Sequence, residues 1–103
     1  MRHLDEILSK KKRPKKQEYL YILSCGDLLK IGVTNNIEER IKTLQTGNPQ
    51  QIILEHIEQR NEAYKIETYL HQQFQSFHVR GEWYKGLTVR DIRSKILMAH
   101  DYD

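Results

Sequence analysis

The chain has 103 residues, a formal charge of +3 and 27 Leu, Ile, Val and Phe side chains, enough for one modest core and too many for a disordered chain. No apolar run approaches the roughly 18 residues of a membrane span, and no apolar stretch of the signal-peptide kind follows the N-terminus. The lone Cys25 excludes an intrachain disulfide and a cysteine-based zinc site, so an intracellular, reducing location is expected.

The charge is uneven. Residues 1–17 hold Arg2, Lys10, Lys11, Lys12, Arg13, Lys15 and Lys16 against Asp5 and Glu6, a net +5, whereas residues 18–103 carry −2. The run Lys10 to Lys16 forms a basic arm suited to binding nucleic acid without sequence preference. It also has the character of a nuclear-import signal or of a plain solvated linker. Leu4, Ile7 and Leu8 precede it at helical spacing, which predicts a short helix. The expected organisation is this arm over 1–17 and one domain over 18–103, with a core to 86 and a last helix over 88–100.

Tyr19 to Leu23 and Leu28 to Val33 are β-rich runs around the turn-like Ser24-Cys25-Gly26-Asp27, which predicts a hairpin. Alternation puts Leu20, Ile22, Leu29, Ile31 and Val33 on a core face. Tyr19, Tyr21 and Leu23 share the opposite face, to which Lys30 and Gly32 can belong. Asn35 or Asn36 can cap the following helix, whose first turn holds Glu38 and Glu39 and whose apolar stripe is Ile37, Ile41 and Leu44. Arg40 lies at the edge of that stripe.

Residues 51–58 predict a third strand with Ile52, Leu54 and His56 on one face. Asn61 is the expected cap of a helix over about 62–75, with Ala63, Ile66, Leu70 and Phe74 as its stripe. Glu67 sits beside that stripe, and His71 lies one turn later. HVRGEWYKG reads as a loop, in which Trp83 and Tyr84 either stack a base or plug the core. Thr88 and Asp91 form a capping pattern for the last helix. The expected fold is α+β, a small three-stranded, mostly antiparallel sheet flanked by helices.

No P-loop, dinucleotide-binding fingerprint, zinc-protease motif or nucleophile elbow is present. The candidates are Tyr19, Tyr21 and Lys30 on a sheet face, Arg40 and Glu67 on helix edges, and His71 as a metal ligand or an exposed histidine. These residue types suit phosphodiester chemistry. A carboxylate can hold a hard divalent cation, an arginine can stabilise phosphate charge, and a tyrosine or lysine of lowered pKa can take a proton from water. Each also has a structural role open to it, as strand packing, surface pairing or a solvent-facing side chain.

Tyr19-Leu20-Tyr21 and Lys30-Ile31-Gly32, with Arg40 ten residues after Lys30 and Glu67 in the second long helix, resemble the signature of the GIY-YIG nuclease superfamily. LKIGVTNNIEERIKTLQTGNP, IETYLHQQF and GEWY are similar to its phage and viral GIY-YIG-like DNA-binding branch, of the meiotically-up-regulated-gene type, over about residues 18–86. The resemblance implies DNA hydrolysis at one Mg²⁺ or Mn²⁺ ion held by Glu67. Tyr21 would position or activate water, Arg40 would contact phosphate, and Lys30 would stand in for the second tyrosine. DNA is implied over RNA, and no membrane partner. A nucleic-acid-binding module without cleavage, and a protein that binds a host or viral protein, are the alternatives.

Overall fold

The computed structural model describes residues 17–99. Residues 1–16 of the basic arm, the short helix expected around Leu4 to Leu8 and residue 100, the last expected in the final helix, lie outside the described residues. Among the described residues, no helix is long and apolar enough to cross a membrane.

β1 (Tyr19–Cys25) and β2 (Leu28–Thr34) form the expected hairpin, in a register that sets Tyr21 opposite Gly32 and Leu23 opposite Lys30. Directly opposed residues share a face, so the tyrosine, the glycine and the lysine do stand together. Asn36 begins α1 (Ile37–Gln45), its side chain accepting a hydrogen bond from the Glu39 amide at 3.1 Å. β3 (Ile52–Gln59) pairs antiparallel with the other side of β1. A register shift there sets Leu54 against Leu23 but His56 against Ile22. The extra residue turns His56 to the face opposite Ile52 and Leu54, which corrects the single face expected from strict alternation.

α2 (Ala63–Gln73) starts without the expected Asn61 cap. Its N-cap is Glu62, in a left-handed conformation (φ 52°) with no side-chain cap of its own. The Ala63 amide instead donates to Glu18 Oε1 at 3.0 Å, so a residue distant in sequence satisfies one of the open amides of the helix start. After a 3₁₀ turn come β4 (His78–Arg80) and β5 (Trp83–Lys85), then α3 (Val89–Met98) with a full Thr88–Asp91 capping box.

The sheet has five strands in the order β3-β1-β2-β5-β4, all neighbours antiparallel. The expectation of three strands is therefore wrong, although the α+β class stands. The segment read as a loop is a hairpin of three-residue strands, too short to show alternation. It turns at Gly81, whose φ of 56° suits a residue without a Cβ.

Both sheet faces are covered. Leu20, Ile22, Leu29 and Ile31 pack with Ala63, Ile66 and Leu70 of α2, Ile92 and Ile96 of α3, and Tyr84. On the other face Tyr21, Leu23, Cys25 and Ile52 pack under Ile37, Ile41 and Leu44 of α1. The tyrosine face is thus a second core rather than an open chemical surface, because α1 folds back over it. Burying one such aliphatic side chain contributes about 1.5–3 kcal/mol.

Candidate active site at the open edge of strand β2

β5 pairs with β2 only along Leu28 to Lys30. Beyond Lys30, the outward backbone groups of Ile31 are met individually: its amide donates to the Glu82 carbonyl at 3.3 Å, and its carbonyl lies 3.2 Å from His71 Nε2. At this gap, side chains from both layers meet around the strand.

From the α1 side comes Tyr21. Its side chain is fully buried and crosses Gly32, so that a Cβ built on Gly32 would stand 2.4 Å from the phenolic oxygen. The motif glycine is therefore a space requirement. Beyond it, Arg40 Nε donates to the Tyr21 hydroxyl at 3.2 Å. Lys30, 5% exposed, places its Nζ 3.1 Å from Glu82 Oε1 and 5.3 Å from the centre of the Trp83 ring. Trp83 is half-buried and packs against the α1-side core, as the plug reading expected, and its ring also lies against a cation.

From the α2 side come Glu67 and His71, one helical turn apart and on one flank. His71 Nδ1 is hydrogen-bonded to the Tyr84 hydroxyl, and its Nε2 is nearer the Ile31 carbonyl than Glu67 Oε2, which is 3.7 Å away. A carbonyl only accepts, so Nε2 presents its N–H to Ile31. His71 is accordingly an engaged, half-buried residue, not a plain surface histidine. An open pocket of about 580 Å³ lies beside Glu67, His71, Glu82 and Tyr84.

Burial pushes the Tyr21 phenol above its ordinary pKa, against the lowering effect of the Arg40 hydrogen bond and charge. A phenol raised in this way is suited to donating a hydrogen bond rather than to taking a proton from water. The hydrogen bond to Tyr21 raises Arg40, and the charges of Glu82 and Glu67 add to that. Burial acts to raise the Glu82 carboxyl, but the hydrogen bond and charge of Lys30 prevail and hold it below the usual carboxylate range. The mutual influence of Tyr21, Arg40, Glu67 and Glu82 marks them as one electrostatic unit.

Glu67, His71 and Glu82 each offer a ligand atom within 4.8 Å of the others. Magnesium and manganese favour oxygen donors, and both ring nitrogens of His71 are engaged. The Glu67 and Glu82 carboxylates are therefore the donors that fit a hard divalent cation, with His71 Nε2 3.7 Å from Glu67 Oε2.

Of the residues singled out from sequence, Tyr21, Lys30, Arg40, Glu67 and His71 are brought together. Tyr19 is not: its hydroxyl donates to Gln17 Oε1 at 2.7 Å, on an exposed part of the strand. Lys10, Lys11, Lys12, Arg13, Lys15 and Lys16 lie outside the described residues. Sequence reasoning missed Glu82 as a site residue, and read Tyr84 as stacking a base or plugging the core rather than as the partner of His71. The available signal was GEWY itself, an acidic residue and a phenol flanking Trp83 directly after a turn glycine.

The T5orf172 domain matches the chain over residues 18–98. No curated protein and no solved structure matches it. The match overturns the assignment to the GIY-YIG nuclease superfamily, because the family that the sequence fits is a different one. It also runs through α3, which the earlier resemblance left out.

Proposed function

The chain belongs to the T5orf172 domain family, and from the geometry of its site we propose a small divalent-metal-dependent endonuclease that hydrolyses DNA phosphodiester bonds. The observation that supports this is the convergence of Tyr21, Arg40, Lys30, Glu67 and Glu82 at one sheet edge, with Glu67 and Glu82 lining an open pocket.

The Glu67 and Glu82 carboxylates would hold Mg²⁺ or Mn²⁺, which when bound supplies positive charge to the scissile phosphate and to its leaving oxygen. Arg40 presents a permanent cation for the remaining phosphate oxygens. Tyr21, fully buried, fixes the Arg40 guanidinium through the Nε hydrogen bond at 3.2 Å. Lys30 is aimed by Glu82 and Trp83 as a phosphate clamp. His71 ties α2, which carries Glu67, to the Ile31 carbonyl of β2. An intracellular setting accords with a nucleic-acid substrate and an unpaired Cys25.

A second reading, DNA binding without hydrolysis, is favoured by the Lys30–Glu82 ion pair, which ties up the amine best placed to take a proton. Incubation of labelled single-stranded DNA, duplex DNA and RNA with Mg²⁺ or Mn²⁺ separates the two. The wild type should cleave DNA, and Glu67→Ala, checked for an unchanged thermal melt, should not. No cleavage of any substrate by the wild type, with binding retained, would leave the binding module.

A further inference from the structure

A second pocket, of about 490 Å³, lies between β3 and α3, on the sheet face that carries α2 and α3. Its walls bring His56, Glu58 and Arg60 from the end of β3 up to Arg90 and Arg93 from α3, over an apolar rim that includes Leu97. None of these residues belongs to the site at β2.

The charges within it are unequal. Glu58 is the only acidic side chain in the lining, and both of its oxygens are in use. Oε1 is 2.6 Å from His56 Nε2, and Oε2 accepts from Arg60 Nε at 2.6 Å. Asp91, beside Arg90 in sequence, is turned into the helix cap, where its Oδ2 accepts from the Thr88 amide at 3.0 Å. Among the described residues, neither Arg90 nor Arg93 forms a salt bridge. Two guanidinium groups thus flank an open pocket whose one carboxylate is already satisfied. A guanidinium fork matches a phosphate oxygen pair, and the volume lies within the ordinary range of ligand pockets.

The bulge in β3 is what makes the pocket. By turning His56 to the α3 face it puts Glu58 there as well, opposite Leu20, where it restrains Arg60. A regular strand would have sent this charged end to the α1 side.

We propose that the Arg90–Arg93 pocket is a secondary binding site for the phosphate backbone of nucleic acid, separate from the proposed cleavage site. The two pockets share no lining residue, so a strand held at α3 is anchored away from the carboxylates. The identification of nucleic acid as the ligand rests on the function proposed above; the basic pocket does not.

The test is binding of an uncleaved 20-base-pair duplex, in the absence of divalent metal, by the full chain and by Arg90→Gln/Arg93→Gln. Lys42→Gln/Lys85→Gln removes the same charge elsewhere. The arginine variant should bind about tenfold more weakly at 0.1 M salt. Its salt-dependence slope should fall by about 1.8, since each phosphate contact contributes about 0.9. The lysine variant should change less than twofold. Equal weakening of the two variants, or an unchanged arginine variant, overturns the site. Inorganic phosphate or anionic-lipid vesicles binding more tightly than the duplex, with the same arginine dependence, overturn nucleic acid as its ligand. Absence of cleavage by the wild type, with arginine-dependent binding retained, counts only against the endonuclease reading, because no step here depends on hydrolysis.

Discussion

At Gly32 the demand on the residue is volume, not backbone freedom. Tyr21 is fully buried and lies over the glycine, with its hydroxyl held by Arg40. A methyl group on Gly32 cannot coexist with that placement, and the tyrosine has no solvent to swing into. Gly32→Ala should destabilise the protein by about 1–3 kcal/mol, the usual range for overpacking, and lower the DNA cleavage rate at least tenfold by separating Tyr21 from Arg40. Thermal melts and cleavage rates measure the two effects; an alanine variant that is as stable and active as the wild type would show that the phenol is not confined. Tyr21, Lys30, Arg40 and Glu67 were legible in sequence because their spacing places them on a hairpin face and on helix edges. The raised pKa of Tyr21 was not legible, since it follows from α1 covering that face. Glu82 was hidden for a related reason: an acidic residue after a turn glycine looks like solvent-facing loop until the turn is seen to deliver it to Lys30.

Among the elements, legibility followed length. The seven-residue strands of the first hairpin and the capped helices α1 and α3 declare themselves through alternation or through a cap and an apolar stripe. β4 and β5, three residues each, carry no period, and their pairing is fixed by what they meet. The start of α2 was misplaced because its capping partner is Glu18, far away in sequence. α3 offers the cleanest test of a local signal. The Thr88 hydroxyl accepts from the Asp91 amide at 3.0 Å, and the Asp91 carboxylate accepts from the Thr88 amide. Thr88→Ala should cost about 1 kcal/mol in chemical denaturation at neutral pH, as lost caps do. The hydrogen bonds from the Thr88 backbone, and then from its side chain, hold the Asp91 carboxyl below its ordinary value of 3.8. A carboxyl whose folded-state pKa is depressed stabilises the fold above its unfolded value, and that contribution fades as pH falls through the folded one. Asp91→Asn should therefore be less stable than wild type at pH 7, and the gap should narrow as pH falls below about 3.8. A gap that is constant across the series would mean that the carboxylate charge plays no part in the cap.

Over the whole molecule, charge and site are at odds. Residues 18–103 carry −2, and the proposed cleavage site contributes two carboxylates, whereas DNA is a polyanion. Arg40, Lys30 and the Arg90–Arg93 pocket supply local positive charge, but no net field draws a nucleic acid toward this body. The field comes from residues 1–17, at +5. Seven cations on one short stretch raise the encounter rate and release counterions from whatever backbone they contact, without reading sequence. Their effect should thus be large at low salt and small at high salt, where the Debye length shrinks to a few ångströms. Residues 1–16 contribute by sequence to none of the described elements, which begin at Tyr19. A chain that lacks them should bind duplex DNA more weakly at 50 mM salt and converge on the full chain near 0.5 M, with a shallower salt slope. Cleavage at saturating DNA should be unchanged, because Tyr21, Arg40, Glu67 and Glu82 are untouched. An unchanged slope in fluorescence-anisotropy titrations would remove the arm from binding, and a lower saturated rate would place it in the chemistry.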